Sequence, residues 1–294
     1  MKTFKISVPA SSGNVGPGFD STGLAINLYL TLEVTESEEW EFYSHSSPSM
    51  NNNYEEHFIY KIAKQTAERH NKTLSPCKVV ETSDIPLARG LGSSASAILA
   101  GIELANQVCN LSLSPEEKLR YGTEIEGHPD NIAPALYGGL VISIVTENEI
   151  DWIQIPELDV DLVLYIPDVE LKTEAARNVL PDSYTRNYAA SASGISNMVI
   201  ASLLSGNYEL AGKMMERDLF HEPYRAQLIP NFDKIRAEAK EHGAFGTVIS
   251  GAGPTMLSIV PRGKATAIAK HMQALLTEYQ VKILDIDLQG LKVE

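Results

Sequence analysis

From Arg89 to Ala97 the chain reads RGLGSSASA, with two glycines and three serines in nine residues ahead of an apolar, helix-like run. These residue types in this order suit an anion. Gly90 and Gly92 let backbone amides approach a ligand with no Cβ in the way. The helix that follows presents about four free N–H groups and a partial positive charge. A hydroxyl from Ser93 or Ser94 can join the shell of a divalent cation beside that anion. An ordinary serine N-cap accounts for one of these serines but not for the whole combination. The Gly-Lys-Ser/Thr ending of a Walker-type loop is missing, so no lysine reaches the anion.

Two more turn-rich clusters hold polar groups. PASSGNVGPGFDSTG, Pro9 to Gly23, carries Asn14 and Asp20, and a loop carboxylate there suits a ligand ammonium group. SGAGPT, Ser250 to Thr255, joins two strands with more turn-formers than a plain hairpin needs, so the amides around Gly251 are expected to form a nest that closes on a ligand. Between them lies the polar turn HPDN, with His128, Asp130 and Asn131. Arg177 and Arg225 are able to grip a carboxylate through parallel hydrogen bonds, although either alone reads as a solvated surface arginine.

Elements are needed to bring these clusters together. Phe4 to Val8 reads as a strand ending at Pro9, Leu24 to Val34 as a longer strand, His57 to His70 as a helix and Cys77 to Thr82 as a strand. Ser94 to Cys109 is a helix rich in small residues. Ser114 to Gly127 is a second helix, opened by a Ser N-cap and a proline. GLVISIV is a buried strand. Beyond a boundary placed near Pro156, DLVLYIP is a strand and helices are expected at 172–179, 188–204, 208–217 and 232–242. Strands follow at GTVISG and TMLSIV, then a helix at 265–279 and a last strand at VKILDID. The expected organisation is α+β, with domains at 1–155 and 156–294.

The chain has 294 residues, 44% hydrophobic and 21% charged, an ordinary globular composition. Its net charge of −14 argues against nucleic acid or an anionic membrane as partner. An acidic chain that handles phosphates must concentrate positive potential locally. Cys77 and Cys109 have no metal-ligand spacing and read as reduced thiols. No apolar run approaches the ~20 residues of a membrane span, and a cytoplasmic location is expected.

The three glycine-rich clusters, in this order, resemble the GHMP kinase superfamily over nearly the whole chain. PLARGLGSSAS is its most specific motif. The stretches VPASSGNVGPGFDSTGLAI, EIEGHPDNIAPALYGG, LKTEAARNVLP and DLFHEPYRAQLIP are most similar to the branch that phosphorylates L-homoserine. Gly13 stands where that branch usually has alanine and Val15 where it has leucine, both read as mild departures.

The resemblance implies a ribosomal protein S5 domain 2-like N-terminal domain and a ferredoxin-like C-terminal one. It implies ATP and Mg²⁺, with transfer of the γ-phosphoryl group to L-homoserine on the route to threonine. Pro86, Leu87, Ala88, Arg89, Gly90, Leu91, Gly92, Ser93, Ser94, Ala95 and Ser96 would wrap the nucleotide phosphates, with Arg89 outside the catalytic set. Ser94 and Glu124 would hold the metal, Glu126 being a near alternative two residues on. Asn14, Asp20, His128, Asp130, Arg177, Arg225 and Gly251 would bind the acceptor. Asp130 and Asn131, with Ser94 and Glu124, form the expected catalytic set. No lysine accompanies Asp130, so catalysis by positioning and charge neutralisation is expected. A homodimer is the family's expectation. The alternatives are another GHMP small-molecule kinase, separable by substrate profile, and a catalytically silent metabolite-binding relative, separable by absence of ATP turnover.

Overall fold

A computed structural model describes residues 3–45, 53–147, 149–155 and 157–294. The first strand, β1 (Thr3–Gly13), pairs antiparallel with β2 (Thr22–Glu36). Pro9 does not end β1 as the sequence suggests. The register shifts between Pro9 and Ala10, and strand pairing resumes through Gly13. A proline offers no N–H to a ladder, and an irregularity is where a sheet tolerates one.

At fifteen residues, β2 is long enough to serve two partners. Its C-terminal part pairs with β4 (Cys77–Ser83), which lies parallel to β3 (Glu41–Ser44) across the helix α1 (Phe58–Arg69). Its N-terminal part pairs with β5 (Leu140–Val145), which carries β6 (Ile150–Ile155). Short β3 and β6 were not visible in the sequence pattern. Helices α2 (Ser93–Cys109) and α4 (Ile132–Tyr137) pack on the sheet, and α3 (Pro115–Glu126) packs against both of them. The small residues of α2 do what their size suggests. A Cβ on Gly101 would lie 2.8 Å from the Ile59 carbonyl oxygen, so α2 meets α1 at close range. At the head of α3, Ser114 Oγ accepts from Glu117 N and the Glu117 side chain accepts from Ser114 N, a full capping box.

The second sheet has the order β10-β7-β9-β8, all antiparallel, from β7 (Val160–Pro167), β8 (Gly246–Ile249), β9 (Met256–Pro261) and β10 (Tyr279–Leu284). Its helices are α5 (Thr173–Asn178), α6 (Arg186–Leu204), α7 (Tyr208–Met215), α8 (Glu222–Arg225), α9 (Phe232–Glu241) and α10 (Ala265–Leu275). A separate core of Val163, Tyr165, Ile235, Ile249, Met256, Ile268 and Met272 lies against α9 and α10.

Pro156, the expected boundary, lies outside the described residues, between the last strand of one sheet and the first of the other. The chain's end crosses that division. Its last strand, β11 (Lys292–Val293), pairs with β1, and Asp287 accepts from Tyr29 Oη at 2.6 Å. The tail therefore completes the first sheet, although it follows the second in sequence. Among the described residues no helix is long and apolar enough to cross a membrane.

Candidate active site

The cleft forms where the loop after β1, the loop before α2, the turn before α4 and the region around α5 and α8 meet. Its phosphate-like wall is the head of α2. Gly92 is the N-cap, in the left-handed region at φ 67°, and no side chain caps the helix. Ser96 N donates to Gly92 O at 2.9 Å, which leaves the preceding amides of the first turn to face the cleft. Gly90 (φ 72°) and Gly92 are required by contact as well as by conformation. A Cβ would lie 2.2 Å from the Ser250 carbonyl oxygen at Gly90 and 2.2 Å from Ser11 Oγ at Gly92.

Ser94 Oγ donates to Glu126 Oε2 at 2.7 Å, and both residues line the cleft. Glu124 does not. Two residues along a helix are about 200° around its axis, and Glu124 points to α1, where Arg69 Nη1 donates to its Oε2 at 2.5 Å. That hydrogen bond from Arg69 holds the Glu124 carboxyl below its ordinary pKa against the weaker opposing effect of burial. The metal-binding assignment to Glu124 is thus corrected: the carboxylate beside Ser94 is that of Glu126. Sequence alone could not choose between them, because Arg69 is far away in the chain.

The other expected loop residues divide. Gly90, Leu91, Gly92, Ser93, Ser94 and Ala88 border the cleft, whereas Pro86, Leu87, Ala95 and Ser96 do not. Ser96 is buried, and its Oγ donates to the Pro9 carbonyl at 2.9 Å. Arg89 is turned away from the phosphate wall. Its guanidinium donates to the carbonyls of Leu87, Pro167 and Asp168 and pairs with Glu170, so the side chain ties the loop to the end of β7.

On the opposite wall, Arg177 Nη2 donates to Asp20 Oδ1 at 2.9 Å and Nη1 to Oδ2 at 3.2 Å. Asp20 is in the left-handed region at φ 54°, held there by its own N–H donating to Asn14 Oδ1 at 3.0 Å. Asn14 borders the cleft, but its Nδ2 donates to the Gly251 carbonyl at 2.8 Å, so its amide is committed to tying two loops. The nest expected at Gly251 is likewise used internally. Its N–H donates to Gly13 O at 3.0 Å, and its carbonyl also accepts from Arg225 Nη1 at 3.2 Å. Arg225 is 2% exposed, far from the surface arginine its type suggests. Its Nε donates to Ala176 O at 3.0 Å.

Asp130 is buried between His128, whose Nδ1 meets its Oδ1, and Asn131, whose Nδ2 donates to the same oxygen at 3.3 Å. Asn131 Oδ1 in turn accepts from Ser11 Oγ at 3.0 Å. Gly13 proves more than a mild departure. A Cβ there would lie 2.3 Å from Asp130 Oδ2 and 2.7 Å from Asn131 Nδ2. Gly13→Ala is expected to displace Asp130 and lower kcat about 10- to 100-fold, as small misplacements of an active-site group do. Steady-state kinetics on the folded variant checks this, and a wild-type kcat would show that the close approach is not used.

Burial disfavours the charged form of His128, but the hydrogen bond and charge of Asp130 outweigh it and raise the pKa above 6.5. A folded-state pKa above the unfolded one stabilises the fold fully below the unfolded value, and that stabilisation fades as pH rises through the folded value. The Tm deficit of His128→Gln should therefore be larger at about pH 6 than at about pH 9. Equal deficits in thermal scans at the two values would contradict the imidazolium–Asp130 pair.

The cleft has a volume of about 80 Å³. Beside it, across Ser93 and Ser94, a wider pocket of about 380 Å³ is lined by Leu30, Phe58, Ile59, Leu87 and Ala97, with Glu56, His57, Glu81 and Ser83 among its polar groups. Phe58 and Leu87 expose 45% and 53% of their surface there. Sequence reading missed this pocket because its walls come from β2, α1, β4 and α2, each reading as ordinary core.

Residues 57–139 match the family described as GHMP kinases N terminal domain, and residues 199–277 that described as GHMP kinases C terminal. A homoserine kinase of Oceanobacillus iheyensis is 61% identical over 100% of both chains. One of Halalkalibacterium halodurans is 48% identical, over 99% of this chain and 94% of its own. The crystal structure of homoserine kinase from Cytophaga hutchinsonii is 28% identical and matches 100% of this chain and 98% of its own with a TM-score of 0.87.

Proposed function

The chain belongs to the GHMP kinase family and groups there with homoserine kinases, and on that premise we propose that it transfers the γ-phosphoryl group of ATP to the side-chain hydroxyl of L-homoserine. The observation that carries the proposal is the meeting, in one cleft, of an uncapped helix N-terminus with an Asp20–Arg177 pair and a buried Arg225. The first suits phosphates, and the others suit the ammonium and carboxylate of an amino acid.

The nucleotide base occupies the apolar pocket between Phe58 and Leu87, and the phosphates run to the first-turn amides of α2. Ser94 Oγ and Glu126 are hard oxygen donors of the kind Mg²⁺ takes, few in number, as suits an ion that keeps its waters and phosphate ligands. Bound there, Mg²⁺ neutralises charge on the phosphates. The acceptor's ammonium pairs with Asp20, near His128 and Asp130, and its carboxylate with Arg177 and Arg225. Asp20 and Arg177 grip each other at the wall that receives the acceptor, so acceptor binding exchanges that pair for two contacts with the zwitterion.

The acceptor oxygen then forms its bond to phosphorus as the bond from phosphorus to the ADP oxygen breaks. Asp130 is engaged by His128 and Asn131, which favours an orienting role over that of a base. The hydroxyl proton passes late, to an oxygen of the transferred group. A loose transition state asks mainly for this positioning and for charge stabilisation. A homodimer and a cytoplasmic location belong to the same proposal and rest on the family alone.

A coupled ADP-release assay with L-homoserine, L-serine, L-threonine, shikimate and mevalonate tests the substrate. The highest kcat/KM is expected for L-homoserine. Preference for any other alcohol, or no turnover with any, would overturn the assignment.

A further inference from the structure

The stretch from Asp218 to Arg225 contains a second group the reaction does not obviously use. His221 is fully buried, its ring 5.6 Å from that of Phe19 and stacked on it. Each ring nitrogen has a partner. Arg225 Nη1 donates to Nδ1 at 3.3 Å. A guanidinium has only donors, so Nδ1 carries no proton and Nε2 does. Nε2 donates to the Gly16 carbonyl at 2.8 Å, with Asp218 Oδ2 3.6 Å away. Burial holds the ring neutral against the pull of Asp218, helped by the charge of Arg225, in agreement with that tautomer. Asp218 fixes the backbone beneath by accepting from the N–H groups of Phe220, His221 and Glu222.

We propose that His221 is a positioning residue for the acceptor site, joining the Arg225 guanidinium to the loop that carries Asn14 and Asp20. The proposal rests on the reading of Arg225 as a carboxylate anchor. Bonds to Ala176 O, Gly251 O and His221 occupy Nε and Nη1 of Arg225. Among the described residues no acceptor engages its Nη2, whose two hydrogens are left for the ligand. The Gly16 carbonyl sits between Asn14 and Asp20 in the chain, so one imidazole sets the spacing between the groups for the acceptor's carboxylate and for its ammonium. Nothing in this linkage touches the nucleotide wall.

The test uses the full-length enzyme with three variants. His221→Phe keeps the stacking and removes both hydrogen bonds. His221→Asn places an oxygen near Nδ1, and His221→Gln an amide nitrogen near Nε2. His221→Phe is expected to raise the acceptor KM about 10-fold or more, the size of a lost bond to a charged group, with the ATP KM within about twofold. Neither His221→Asn, which keeps only the acceptor for Arg225, nor His221→Gln, which keeps only the donor to Gly16, should restore the acceptor KM, because each cuts one end of the link. Where the Phe variant does not fold, the Asn and Gln pair still decides, and a wild-type acceptor KM in either overturns the proposal. Parallel rises in the ATP and acceptor KM overturn it too, since a general loss of structure would do that. Arg225→Ala separates the two readings. A raised acceptor KM there, with wild-type values in the His221 variants, sinks the positioning role alone. An unchanged acceptor KM in Arg225→Ala sinks the anchor and this proposal with it.

Discussion

Glu126→Gln is expected to lower kcat about 100-fold or more, whereas Glu124→Gln should leave it within about twofold. Both residues are on α3, yet only Glu126 reaches the Ser94 hydroxyl at the mouth of the phosphate loop. On the proposed metal role, the amide keeps one oxygen but loses the negative charge that would hold Mg²⁺, which would weaken neutralisation of the phosphates where phosphoryl transfer depends on it most. Added Mg²⁺ should restore part of the Glu126→Gln loss, as expected when metal affinity and not the fold is damaged. Glu124 is half exposed and paired with Arg69. Pairs of this kind contribute at most about 1 kcal/mol, so its removal should lower Tm slightly and leave turnover alone. Measuring kcat for both variants over a range of Mg²⁺ concentration checks the assignment. Equal losses, or a larger one at Glu124, would reverse it.

Arg225→Ala is expected to raise the acceptor KM about 100-fold while the ATP KM stays within about threefold, as loss of a buried, charge-assisted contact to a carboxylate implies. The guanidinium is held by Ala176, Gly251 and His221, so little ordering remains to be done when the ligand arrives. Burial and the nearby charge of Arg177 push its pKa down to about 10, which still leaves it charged at neutral pH. Arg225→Lys should fail to rescue, because a point charge on a flexible stem cannot span the same three acceptors. Arg177→Ala should cost less, since Arg177 is 38% exposed and screened by solvent. Tm will also fall in Arg225→Ala, because the Gly251 and Ala176 carbonyls lose a donor. The kinetic signature is therefore the split between the two KM values in protein shown to be folded. A proportional rise in both would remove Arg225 from the acceptor site.

Much of this was legible in the sequence, and unevenly. The glycine–serine loop and the helix after it carry their meaning locally. Backbone freedom at Gly90 and Gly92 and free amides at a helix head depend on a few adjacent residues, and α2 and α3 follow from the same short-range rules. Strands as short as β3, β6 and β11 have too few residues for a period to register. Which side chain faces the ligand was a tertiary matter. Glu124 and Glu126 differ only in rotation about α3, and Arg69, distant in the chain, captures one of them. Asn14 and Gly251, both expected to touch the acceptor, are joined by a hydrogen bond from Asn14 Nδ2 to the Gly251 carbonyl, and a bond between loops that distant in sequence cannot be read from either loop.

The sequence by itself determined the reaction class, the phosphate loop and the set of charged residues available to an amino-acid acceptor, because these depend on residue type and near-neighbour order. Only the tertiary structure decided that Glu126 is the carboxylate beside Ser94, that Arg225 is buried with His221 against its guanidinium, and that Gly13 makes room for Asp130. Those facts turn on which atoms come within bonding distance when separate elements pack, and a side chain's partners are set by that packing and not by its neighbours in the chain.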